Sequence, residues 1–222
     1  MDKKNKKIEF ISGGALGSDS VWSFYGDQHG VTTYHLIAEG MTRPTGGRNS
    51  ARNAEQQSGE VRVVPRERLI EAIEALIEMN ISINGKDPNL FFSGYKMGLS
   101  PAQKLHARNY WQVMCGEQVL AIAPIQDERC VHGGTATACN LGIALGKPVY
   151  VLNILDCSWY KWSKAKKKFI KSAKPKFKVN NTVIGTRTLV KYETFKGGSW
   201  KSAPYVGADV EHQIREMIQD LF

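Results

Sequence analysis

The chain has no apolar run approaching the roughly 18 residues that a membrane span needs. Its charged start, Met1 to Lys7, is not followed by the apolar core of a secretory signal. A cytoplasmic protein without membrane attachment is therefore expected. There are only four cysteines, Cys115, Cys130, Cys139 and Cys157, with no Cys-x-x-Cys pair and no disulfide-framework spacing. Cys130, His132 and Cys139 fit no common zinc pattern, so buried or bystander thiols are expected, with no metal and no cofactor. No Gly-x-x-x-x-Gly-Lys-Ser/Thr occurs, which argues against a P-loop nucleoside triphosphatase. Repeats and low-complexity linkers are missing too. Acidic residues are absent from Cys157 to Tyr192, where Lys161 to Lys178 together with Arg187 and Lys191 supply eleven positive charges, more than the whole net charge of +9. Such a segment suits a polyanion or anionic ligand, or simply a solvated lysine face.

What is present suits one large domain spanning residues 1–222, with residues 157–180 as a lysine-rich, aromatic-bearing insertion or appendage. A hydrophobic fraction of 42% is ample for a core. Lys7 to Ser12 reads as a buried strand. A helix capped by Ser18 or Asp19 follows to about Gln28, and Val31 to Ala38 reads as a second strand. Glu39 to Glu60 is polar, with Arg43, Gly46, Gly47, Arg48 and Arg52, and reads as a long loop near a strand end. Pro65 to Met79 carries an apolar stripe of Leu69, Ile70, Ile73, Leu76 and Ile77, which predicts an amphipathic helix. Ser100–Pro101 opens another helix to about Cys115. Val119 to Ile125 is nearly all apolar, as in a parallel strand covered on both faces. A helix from Gly133–Gly134–Thr135 to Leu145 and a strand at Val149 to Leu152 come next. Thr182 to Ile184 is a further short strand, and Ala208 to Leu221 a terminal helix. This alternation predicts an α/β, Rossmann-like parallel sheet flanked by helices.

Two glycine-rich turns stand between strand and helix. One is Ser12–Gly13–Gly14–Ala15–Leu16–Gly17–Ser18–Asp19, and the other is Gly133–Gly134–Thr135–Ala136–Thr137. Glycine allows tight turning and close ligand approach. A helix N-terminus also presents unpaired N–H groups to an anion. Both turns are expected at the C-terminal edge of one sheet, where α/β ligands bind. The candidate ligand-binding residues are therefore Ser12, Gly13, Gly14, Ala15, Gly17, Ser18, Asp19, Arg108, Gly133, Gly134, Thr135 and Thr137, all converging on one phosphate. On this reading an aspartate at Gly14 would put bulk and like charge where the phosphate sits.

These residues resemble the SLOG superfamily, which joins the DNA-processing protein A family to Lonely-Guy-type phosphoribohydrolases. The Ser-Gly-Gly-Ala-x-Gly-x-Asp loop of the former is similar to Ser12–Asp19. Its Arg-Asn before an apolar strand resembles Arg108–Asn109, and its small-residue loop before Thr-Ala resembles Gly133–Ala138. Its Gly-Lys-Pro-Val turn resembles Gly146–Val149, and its strand ending in Gly-Ser/Thr-Arg resembles Ile184–Gly185–Thr186–Arg187. In that family the last strand precedes the Ser-Gly-Gly-Ala strand, whereas here it comes last, so the order looks circularly permuted. The resemblance implies that Thr182–Ile184 lies parallel to, and beside, Ile8–Ser12. The hydrolase side implies an arginine, matched by Arg108, and a glutamate after the Gly-Gly-x-Gly-Thr loop. No glutamate follows Thr135, so a catalytic carboxylate would have to come from Asp19, Glu117, Asp127 or Glu128.

The expected function is binding of a nucleotide or nucleotide-derived signalling molecule, for sensing or sequestration, with no catalytic residue assigned. A nucleoside-phosphate N-glycosidase is the first alternative. Single-stranded nucleic-acid binding through residues 161–178, with Trp159, Tyr160 and Trp162 as stacking surfaces, is the second. A homodimer or higher homo-oligomer is expected.

Overall fold

A computed structural model describes residues 7–41, 58–131, 133–189, 193–196, 199–202 and 205–222. Arg43, Gly46, Gly47, Arg48, Arg52, His132 and Lys191 thus lie outside the described residues. Strand β1 (Glu9–Ser12) leads through helix α1 (Ser18–Gln28) to β2 (Thr32–Ala38). Then come β3 (Glu60–Val64), α2 (Arg66–Glu78), the single turn α3 (Pro88–Phe91) and α4 (Pro101–Cys115). β4 (Gln118–Ala123) is followed by a small hairpin, β5 (Ile125–Gln126) with β6 (Cys130–Val131), and by α5 (Thr135–Ala144) and β7 (Val149–Asn153). β8 (Ser158–Ser163), β9 (Lys168–Lys171), β10 (Asn180–Gly185), the hairpin of β11 (Glu193–Lys196) and β12 (Ser199–Ser202), and α6 (Ala208–Gln219) complete the order.

Eight strands form the central sheet in the order β3-β2-β1-β10-β4-β7-β8-β9. The first six run parallel, so the chain has the α/β, Rossmann-like architecture that its periodicities predict. β10 fills the slot between β1 and β4, with Phe10 opposite Asn181 on one side and Val183 opposite Leu120 on the other. β10 thus lies parallel to, and beside, β1, as expected.

Side-chain alternation explains the layers. Every residue of β4 is buried. Val119, Ala121 and Ala123 join the core that also holds Leu69, Leu76, Ala107, Val113 and Leu141 of α2, α4 and α5. Leu120 and Ile122 join the opposite core with Val21 and Trp22 of α1 and Ile214 and Ile218 of α6. The step from β1 to β2 runs one way across the sheet and the step from β4 to β7 the other. Right-handed crossovers then require α1 and α5 on opposite faces, as found. α4 is closed at both ends. Ser100 and Gln103 form a reciprocal capping box at its start. At its end the Lys147 ammonium donates to the carbonyls of Val113 and Gly116, both at 2.6 Å.

Two regions differ from expectation. β3 starts at the last residue of the expected loop and runs on through Val61–Val64, for which no element is expected, and it is an edge strand whose Val61 and Val63 are exposed. The lysine-rich segment is not hung outside the sheet: β8 and β9 continue it as an antiparallel edge. Trp159 and Phe169 are buried there, with Trp162 packed edge-on against Phe169. Trp159 is therefore a core residue and unavailable for stacking on a base.

Candidate functional site

Parallel strands that end side by side place their following loops together. β1, β10 and β4 are consecutive in the sheet, and the chain departs from β1 and from β4 in opposite directions, so a switch point lies between them. The Ser12–Gly17 loop and the Gly185–Thr186–Arg187 segment meet at this edge. Ser18 donates to the Thr186 carbonyl from both its backbone N–H at 3.1 Å and its hydroxyl at 2.9 Å. Gly17 has a φ of 97°, and a Cβ there would lie 2.6 Å from the Thr186 carbonyl oxygen. Only glycine fits both the left-handed backbone and that contact.

Asp19 organises the first loop from within. It is almost wholly buried, and its Oδ2 accepts hydrogen bonds from the N–H groups of Gly13 at 3.1 Å and Ala15 at 3.2 Å. Those two donors are thus committed to a carboxylate of the protein. This corrects two expectations. Asp19 does not cap α1, whose N-cap is Gly17 without a side-chain bond. The loop N–H groups of Gly13 and Ala15 are not free to hold a phosphate. Burial pushes the Asp19 carboxyl above its ordinary range, against the pull of Arg108 and of the neighbouring N–H groups. Its other oxygen, Oδ1, has no hydrogen-bond partner among the described residues.

Arg108 projects from α4 against this loop. A Cβ on Gly13 would fall 1.4 Å from its Nη1, so the missing side chain is what admits the guanidinium. Nη1 donates to Gln112 Oε1 at 2.6 Å, and Arg108 is 5% exposed. Burial weakens the hold of this group on its proton, the Asp19 charge works the other way, and Arg187 adds like-charge repulsion. Arg108 and Arg187 line a small cleft with Gly13, Ala15, Ile37, Ala38, Met41 and Leu105. Its volume is about 40 Å³, room for roughly three waters, which is the scale of one phosphate group. Arg108 forms the buried wall, and the exposed Arg187 stands at the mouth.

The second glycine turn does not share this cleft. Thr135 and Thr137 are buried at the start of α5, and Thr137 Oγ1 lies 2.8 Å from His106 Nδ1. The Gly134 carbonyl accepts from Asn109 Nδ2 at 3.3 Å. These bonds fasten α5 to α4. Burial, with the Arg108 charge behind it, drops the His106 pKa to about 4, so its ring is neutral at ordinary pH. Of the predicted residues, Gly13, Ala15 and Arg108 line the cleft. Ser12, Gly17, Ser18 and Asp19 support the loop behind it. Gly133, Gly134, Thr135 and Thr137 do not line it, and Thr137 and the Gly134 carbonyl bond to α4. Gly14 does not line the cleft, and a Cβ there would lie 3.1 Å from His35 and 3.2 Å from Ile37 of β2, the latter a cleft residue.

Arg187 is the residue that motif reading left out of the site. Its signal was the Gly185–Thr186–Arg187 end of β10, read for strand order alone. Among the carboxylates considered, only Asp19 comes near Arg108. Glu117 accepts from Asn180 at the opposite end of β4 and β10, Asp127 accepts from Arg129 N–H, and Glu128 pairs with Lys168. No group of three or more His, Cys, Asp or Glu residues among the described ones could hold a metal.

No protein-family model and no curated protein matches the chain. Among solved structures it is similar to a protein of Syntrophus aciditrophicus SB designated a candidate molybdenum carrier. The sequence identity is 12%, the match covers 97% of this chain and 92% of that one, and the TM-score is 0.45. At that level the likeness says nothing of ligand or activity.

Proposed function

We propose that the cleft at the ends of β1 and β10 binds the phosphate of a nucleotide or nucleotide-derived molecule, and that the protein senses or sequesters it. The observation that carries this reading is the pair Arg108 and Arg187 lining one small cleft at a topological switch point. A guanidinium buried this deeply gains from a second anion beyond Asp19. Its planar fork suits phosphate oxygens. The arginines take the recognition role expected of the loop N–H groups, while Asp19 fixes the loop that makes room for them.

Binding is favoured over N-glycoside hydrolysis because Asp19, the carboxylate nearest Arg108, is buried behind the loop and accepts two of its N–H groups. A free-base release assay on nucleoside monophosphates separates these readings, and sustained release would overturn the preference. The lysine edge also counts against a nucleic-acid surface. Lys168, Lys171 and Lys174 pair with Glu128, Asp156 and Asp220, and the buried Trp159 offers no ring. Calorimetry with mono-, di-, tri- and cyclic nucleotides tests the binding proposal. Arg108→Ala should weaken the best ligand by about tenfold to a hundredfold, the loss of one charge-assisted hydrogen bond. Unchanged affinity in a folded Arg108→Ala protein would place the ligand elsewhere.

A further inference from the structure

A second cleft adjoins the first. It is lined by Glu39, Gly40, Arg66, Glu67, Leu69, Met97, Gly98, Leu99 and Lys104, and its volume is about 420 Å³, within the range of small-molecule sites. The two clefts are built on the same two stretches of chain. Ala38 and Met41 face the small cleft, and Glu39 and Gly40 face the large one. These four residues form a tight turn closed by Met41 N–H to the Ala38 carbonyl at 2.9 Å. On α4, Leu105 lines the small cleft and its neighbour Lys104 the large one. The partition between them is one turn of backbone, and at Gly40 it carries no side chain.

We infer that the large cleft holds the nucleoside of the same ligand whose phosphate sits against Arg108, so that a nucleoside monophosphate runs from Arg108 over the Gly40 turn toward α2, away from the Gly133–Thr137 turn. This rests on the phosphate reading above.

The lining suits an uncharged ring system bearing hydroxyls. Its two cations are tied down: Lys104 Nζ donates to the Glu39 carbonyl at 2.8 Å and Arg66 Nη2 to the Lys96 carbonyl at 3.3 Å. Glu39 Oε2 in turn accepts the Arg66 backbone N–H at 2.6 Å. The two carboxylates offset the two cations, which leaves little net attraction for a second phosphate. Glu67 is exposed and lines the cleft, so its oxygens are available to sugar hydroxyls. Leu99 supplies apolar wall. Met97, 90% exposed at the rim, is a long thioether able to lie on the face of a base.

The test is calorimetry of the full chain with inorganic phosphate, ribose 5-phosphate and the four common nucleoside 5′-monophosphates. At least one monophosphate should bind about tenfold or more tighter than ribose 5-phosphate, the scale of burying one apolar group of this size. Met97→Ser should remove most of that advantage while leaving ribose 5-phosphate affinity within about twofold, and Glu67→Gln should weaken the monophosphate and ribose 5-phosphate alike. Gly134→Ala should leave both affinities unchanged. Equal binding of ribose 5-phosphate and every monophosphate would overturn the nucleoside cleft and leave the phosphate site standing. So would a monophosphate advantage that survives Met97→Ser or is lost in Gly134→Ala, or an unchanged affinity for both ligands in Glu67→Gln. Absence of binding by every probe would overturn both.

Discussion

The two glycine turns look alike in sequence and do different physical work. In the turn after β1, the space left by the missing Cβ atoms is occupied: Arg108 lies against Gly13, and the Thr186 carbonyl lies against Gly17. In the turn before α5, a Cβ on Gly133 or Gly134 would meet nothing within 4 Å, and only Gly133, with a φ of 78°, needs its backbone freedom. A glycine can therefore record a close approach, a positive φ, or neither. The first turn admits a buried charge to a cleft, and the second starts a helix fastened through Thr137 and Asn109.

Substitution should separate the turns. Gly17→Ala combines a left-handed backbone with a backbone clash and should cost about 4 kcal/mol in denaturant unfolding. A loss below about 1 kcal/mol would mean that the contact with β10 relaxes freely. The second turn is better broken by acid. The folded protein keeps His106 neutral down to about pH 4, whereas the unfolded chain protonates it near 6.5. Between those values the unfolded state binds more protons, so stability drains away as pH falls through the window, by on the order of 3 kcal/mol from this group. His106→Gln should flatten that part of the stability–pH curve, and an unaltered slope would show that other groups carry it.

Gly13→Ala should be milder for the fold and severe for the site. The displaced Arg108 loses Gln112 and its approach to Asp19, which costs about 2 kcal/mol, and the cleft loses its buried cation. Anion binding, followed by calorimetry, should weaken by about tenfold to a hundredfold, as in Arg108→Ala; unchanged binding would clear Gly13 and Arg108 of any part in it. Gly134→Ala, at the other extreme, should change stability by less than about 0.5 kcal/mol. A larger loss would erase the contrast between the turns.

Much of the architecture was legible because its determinants are local. The all-apolar Val119–Ile125, the stripe from Leu69 to Ile77 and the Ser100–Pro101 start each fix one element. The order of Gly185–Thr186–Arg187 placed β10. The edges were less legible. In β3 the sequence Glu60–Val61–Arg62–Val63 alternates, but all four residues are exposed and only Val64 is buried, so the alternation marks no core face. In β8 and β9 the lysines hid the inward period of Trp159 and Phe169. Within the site, no sequence pattern distinguishes an aspartate that takes the loop N–H groups for itself from one that caps a helix. Nor does one show which of two glycine turns an arginine will reach. Those depend on side-chain direction across elements distant in sequence.

The placement of β10 has a consequence for how the protein is born. It is synthesised after both of its neighbours, yet they cannot pair with each other while its slot stands open. At roughly 5–20 residues per second, the nascent chain spends some seconds with the facing edges of β1 and β4 unsatisfied. Bare strand edges invite pairing with other chains. Until Asn180–Gly185 is made, both of those edges lack their partner, and a chain cut short before it could not close the sheet.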